Sequence, residues 1–236
     1  MIKFFRKIRQ NLLMENKTGK YFKYAIGEII LVFIGILLAL QVNNWNEIRK
    51  GNGTKIESIK VIQTNLSQEK DRLDYVIARK QSTIITIEKI LAGDFKNIEL
   101  KKLYGILTRV HLHLVANTGY KIISQNNAIN SIENKDLTNA LIWFYETHYG
   151  LLNSWGDYDR SYSENFMEPY LQSNIPSEPN LFEMEAIIKK ELKTIHFRNL
   201  LLNKIELDKS YIKIMQTESF VHIEKLQSLI KQEIEK

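Results

Sequence analysis

The chain has 236 residues, 44% of them apolar and 25% charged, with three prolines and no cysteine. That length suits one membrane anchor plus one medium domain, or two small domains. The missing cysteine excludes disulfides, thiolate metal sites and a cysteine nucleophile. The net charge of +6 suggests nucleic acid at first, but its distribution argues against it. Residues 1–24 hold seven cations and one acid, which is +6; Glu28 subtracts one; from residue 43 onward 26 bases face 25 acids, which is +1. The basic excess therefore sits beside an apolar segment, where a membrane accounts for it and no nucleic-acid partner is expected.

Residues 1–23 read as a basic amphipathic N-terminus. Ile2, Phe5, Ile8, Leu12 and Leu13 recur at helical spacing, with Lys3, Arg6, Lys7 and Arg9 on the other side. Together with Lys20 and Lys23 these cations suit anionic lipid headgroups on the cytoplasmic leaflet. An unstructured positive tail is the alternative reading of the same residues.

Residues 24–43 read as a transmembrane helix. Residues 29–40, IILVFIGILLAL, are apolar without a break. Tyr24–Val42 as helix spans about 28 Å, close to the hydrocarbon thickness of a bilayer. Tyr21 and Tyr24 at one end and Trp45 at the other are placed as interfacial aromatics, and the preceding cations put the N-terminus in the cytoplasm. A cleaved signal peptide is the rival reading; the long basic region and the sequence ALQVNNWNE, which lacks an A-x-A site, favour an uncleaved anchor. Glu28 is the one acid in the span. It reads either as an interfacial carboxylate or, with Gly35 and Ala39, as part of a helix-association face.

The pieces MIKFFRKIRQNLL, KY, YAIGEI, IGILLALQ and NNWNE make residues 1–48 distinctive. This stretch resembles the N-terminus of an uncharacterised family of bacterial membrane proteins, a domain-of-unknown-function family. The resemblance implies a single-pass envelope protein in the inner (cytoplasmic) membrane and implies no activity. Beyond residue 48 it rests on helical pattern alone.

Residues 44–53 contain NEIRKGNG and read as a polar linker with two glycines. Thr54, with Glu57 three residues on, reads as an N-cap opening residues 54–236, the extracytoplasmic domain. Ile56, Ile59, Ile62, Leu66, Leu73, Val76, Ile77, Ile84, Ile87 and Leu91 then form a helical stripe, which Ala92-Gly93-Asp94 stops. Helices are expected over about 99–115, 120–132, 135–172, 181–195 and 197–234. The alternation in VHLHLVA also fits a short strand, and Pro169 is expected to kink or end its helix. The fold class is all-α: a single transmembrane helix and an outer bundle of about four to six helices, the last long enough to pack antiparallel to the first.

Candidate chemistry is thin. His111 and His113 could share a metal on a strand but not on a helix, and a third ligand is lacking; His148, His196 and His222 are scattered. Asp157, Asp159, Ser161 and Glu168 mimic a calcium loop, but Tyr162 stands where a glycine is needed, so a solvated polar helix face is expected. No catalytic or dinucleotide motif occurs, and no cofactor or metal is expected. Trp143, Tyr145, Tyr149 and Trp155 crowd one region and read as either core or an exposed groove. The expected role is protein–protein interaction or scaffolding in the cell envelope, with a homo-oligomer or a membrane protein as partner. A ligand-binding sensor domain and an enzyme of unrecognised type are the alternatives.

Overall fold

The computed structural model describes residues 18–111, 116–126, 128–176 and 181–235. They are predominantly helical, with no strand among them. The elements are α1 (Thr18–Leu91), α2 (Leu103–Leu107), α3 (Thr118–Gln125), α4 (Lys135–Ile142), α5 (Tyr149–Tyr162), α6 (Glu168–Asn174), α7 (Leu181–Glu191), α8 (Ile195–Ile214) and α9 (Phe220–Ile234). Three π-helical turns, Trp143–His148, Ser163–Met167 and Met215–Ser219, join α4 to α5, α5 to α6 and α8 to α9. Residues 135–174 and 195–234 are therefore two long uninterrupted helical runs.

The chain divides into two units, residues 1–53 and 54–236. In the first, α1 carries the one stretch among the described residues that is long and apolar enough to cross a membrane, and none of that stretch is buried within the protein. Residues 46–53 are helical, so the expected linker is not a loop, and Thr54 is an interior helical position rather than an N-cap. An isolated glycine costs a helix only about 1 kcal/mol, too little for Gly51 and Gly53 to break a run this long.

In the second unit, residues 59–90 of α1 bury one seam. Ile59, Ile62, Leu66, Leu73, Ile87 and Ile90 are at most 1% exposed. They are spaced by three, four, or seven and its multiple, the geometry that keeps one helical face against its neighbours. Contacts fix the directions of the other runs. Glu69 and Lys80 of α1 meet Tyr149 and Asp159, so residues 135–174 run parallel to α1. Lys55 meets Glu233 and Lys80 meets Asp208, so residues 195–234 return antiparallel. The segment between α1 and α4 descends across these runs: Ser163 donates to the Thr108 carbonyl and Gly119 N–H donates to Asn65.

Local chemistry explains the ends. Gly93 adopts φ +74°, and the Gly93 and Asp94 amides bond back to the Ile90 and Lys89 carbonyls, a Schellman close that glycine alone takes without strain. The Asn134 side chain accepts from the Asp136 and Leu137 amides to open α4, and Thr194 accepts from the Phe197 amide to open α8. Pro169 does not end its helix. It stands two residues past the end of the π turn Ser163–Met167, where the wider winding relieves the clash between its ring and the residue 165 carbonyl. The helix stops instead at Asn174, ahead of Pro176.

Candidate functional site

The 54–236 unit buries polar side chains in three clusters along the seam. In the central one Lys80 and Lys204 face Asp159 and Asp208, all four at most 2% exposed. Lys80 Nζ lies 2.9 Å from Asp159 and 2.5 Å from Asp208; Lys204 Nζ lies 2.5 Å from Asp159 and 3.1 Å from Asp208. Two cations and two anions close into a neutral ring that ties α1, α5 and α8 together. The Tyr211 ring sits 4.9 Å from Lys80 Nζ, adding a cation–π contact. Burial by itself would raise the Asp159 carboxyl, but the Lys204 and Lys80 ammoniums outweigh it and hold it below the ordinary carboxylate value. Burial would lower Lys204, and Asp208 and Asp159 raise it instead. Beside this ring, burial and then the Lys80 charge push His111 down to about 4, so it is neutral near pH 7.

Glu69, fully buried on α1, lies close to Tyr149, and burial and then the Glu69 charge push the Tyr149 hydroxyl well above its ordinary value; Glu69 also lies 3.8 Å from Arg72. The third cluster joins two π turns. His148 Nε2 lies 2.8 Å from Ser219 Oγ, and His148 Nδ1 lies 3.9 Å from Glu218. A Ser–His–carboxylate order resembles a hydrolytic triad, yet His148 and Ser219 are both fully buried. The His148–Ser219 pair is closed off from solvent in this fold. Trp143 stacks 5.3 Å from His148 and 4.0 Å from His222, which brings together two histidines that are far apart in sequence.

The open feature lies between α5–α6 and α8. One cavity of about 360 Å³ is lined by Trp155, Tyr158, Tyr162, Asn203, Leu207 and Ser210, with Glu206 at its side. Another of about 440 Å³ is lined by Asn165, Phe166, Pro169, Tyr170 and His196, with Ser173 and Asn174 behind them. Tyr162 of the first stacks on Phe166 of the second at 5.7 Å, so aromatic surface runs from one into the other. The Tyr162 hydroxyl donates to the Leu200 carbonyl, and the Tyr170 hydroxyl donates to Glu191, which pins both rings.

The residues singled out by sequence separate accordingly. Lys3, Arg6, Lys7 and Arg9 lie outside the described residues, as does His113; Lys20, Tyr21 and Tyr24 stand on α1, but their contact roles fall outside what is described. Lys23 and Trp45 are exposed, and Arg49 lies 5.7 Å from the Trp45 ring. Glu28 lines a shallow apolar groove on α1 with Ala25, Ile29, Val32, Phe33 and Ile36, while Gly35 and Ala39 are exposed. Tyr145 and Tyr149 are core, Trp143 is partly exposed over the histidines, and Trp155 lines the groove. The expected solvated polar face of α5 needs correction at Asp159. Asp157 is exposed and pairs with Arg160, but Asp159 points into the ring of charges, so the two cannot share a calcium ion. Among the described residues no group of three or more His, Asp or Glu could hold a metal.

A family model matches residues 28–168, more than half of the chain. The chain belongs to a family of unknown function (DUF6090). The match runs from Glu28 through the apolar stretch to Glu168, well past the N-terminal module that carries the resemblance in sequence. It takes in Lys80 and Asp159 and stops short of Lys204 and Asp208, so the family region holds half of the central ring. Neither the curated proteins nor the solved structures include a match.

Proposed function

We propose that this chain is a single-pass protein of the bacterial inner membrane, with its N-terminus in the cytoplasm and residues 54–236 outside. It acts by non-covalent recognition, as a protein–protein interaction or scaffolding domain of the envelope. The observation that carries this is the exposed stretch Ile29–Leu40, whose large apolar side chains are each about half to two-thirds exposed. Leaving ten such side chains in water costs more than about 10 kcal/mol, as much as the whole stability of a typical domain. A bilayer removes that cost. Recognition rather than catalysis is favoured because the four charges of the central ring neutralise one another and are each at most 2% exposed.

Two measurements on the tagged, full-length chain test this. On alkaline carbonate extraction it stays in the membrane pellet, and in mild detergent it co-purifies with a stoichiometric partner or a second copy of itself. Release into the carbonate supernatant contradicts the anchor; a partnerless monomer contradicts the scaffold.

A further inference from the structure

We propose that the groove between α5–α6 and α8 is a binding site for a carbohydrate chain. This does not depend on the anchor, because the groove lies wholly within the 54–236 unit.

Of the side chains lining the two cavities, Glu206 alone is a carboxylate or strong cation, and it lies 3.7 Å from Lys209. A phosphate or carboxylate ligand would find no fixed cation there. The walls combine aromatic faces with neutral amides and hydroxyls. Tyr158 and Phe166 are 59% and 55% exposed on one side of the groove, with Trp155 and Tyr162 between and behind them. An aromatic face is the negative pole of a quadrupole and accepts the slightly positive C–H faces of a sugar ring.

The polar groups select against a purely apolar occupant. The amide nitrogens of Asn165 and Asn174 already donate to the Ser161 and Tyr170 carbonyls, and the Ser173 hydroxyl donates to the Pro169 carbonyl. What these groups still offer is mainly acceptor oxygen, with one N–H remaining on the Asn174 amide. A leucine-rich helix laid over them would bury those acceptors unsatisfied, at a cost. Sugar hydroxyls are donors and would satisfy them. Two adjoining cavities bridged by the Tyr162–Phe166 stack give room for more than one ring, which suits an oligosaccharide better than a monosaccharide.

The test is isothermal titration of the full chain in detergent with two probes, the β-1,4-linked tetrasaccharides of N-acetylglucosamine and of glucose. The expected result is saturable binding of at least one, with a Kd between about 10 μM and 1 mM. Tyr158→Ala and Phe166→Ala weaken it by about tenfold or more, while Tyr75→Ala, an exposed tyrosine on α1 outside the groove, leaves it unchanged. Tyr158 and Phe166 are exposed enough that their loss leaves the core intact, which circular dichroism of each variant checks. No binding of either sugar up to about 10 mM, or equal weakening by all three substitutions, overturns the proposal. Binding of an amphipathic helical peptide that is lost in Tyr158→Ala, with no sugar binding, assigns the groove to a protein partner and overturns it too.

Discussion

Gly119 shows how a single atom constrains this fold. A Cβ there would stand 2.6 Å from the Ile62 amide nitrogen and 2.9 Å from the Ser58 carbonyl, backbone atoms that cannot swing aside. Gly119→Ala is expected to lower stability by about 2–3 kcal/mol in urea denaturation. Gly105→Ala, in a helix with nothing within 4 Å, is expected to be neutral or mildly stabilising. The charged ring makes a different prediction. Lys80→Met leaves two buried aspartates sharing one ammonium and is expected to cost about 3–5 kcal/mol. The double variant Lys80→Met, Asp208→Leu removes one charge of each sign and recovers much of that loss. If the double variant were no more stable than the single one, the ring would not be a balanced unit.

The same groups set the pH limits of stability. The Asp159 carboxyl is depressed in the fold, so its contribution is present above the ordinary carboxylate pKa and is lost as pH falls below it. His111 is depressed to about 4, so its contribution fades earlier, as pH falls from its unfolded value near 6.5 toward 4. Lys204 is raised, so its share is present below the ordinary lysine value and is lost at higher pH. A thermal melt followed against pH is expected to be flat near neutrality and to decline on both sides. In His111→Leu the decline between about pH 6.5 and 4 becomes shallower.

At the scale of elements, much is legible in the sequence because helical periodicity is local. The expected helices over 135–172, 181–195 and 197–234 correspond to 135–174, Leu181–Glu191 and 195–234, and Gly93 closes α1 where the sequence suggests. Two features are not legible. A helix of 74 residues runs through Gly51 and Gly53, since propensity marks those positions as weak without saying that the chain yields there. The buried ring escapes a sequence reading because its partners lie 79 and 128 residues from Lys80, and an aspartate beside the exposed Asp157 reads as surface. A trace of it is present in the sequence. Glu69 and Lys80 fall in step with Ile62, Leu66, Leu73, Val76 and Ile87, on the face that has to be buried. Gly53, open on all sides, also gives a test. Gly53→Ala is expected to slow amide hydrogen exchange around residues 46–56, by about 1 kcal/mol of local stability.

At the scale of the whole molecule, one unit carries a long exposed apolar stretch and the other buries a closed ring of four charges beside an open aromatic groove. The central claim is that the first spans a membrane with the second outside the cytoplasm. Because the chain has no cysteine, single introduced thiols report topology without background. Ser228 is exposed on α9 and suits a reporter for the second unit, and Lys17 stands ahead of the apolar stretch. In otherwise native cells, Lys17→Cys and Ser228→Cys variants would be treated with a membrane-impermeant maleimide before and after lysis. The account predicts that Ser228→Cys labels in cells whose inner membrane is intact, while Lys17→Cys labels only after lysis. Labelling of both positions in intact cells, or of Lys17→Cys alone, would contradict it.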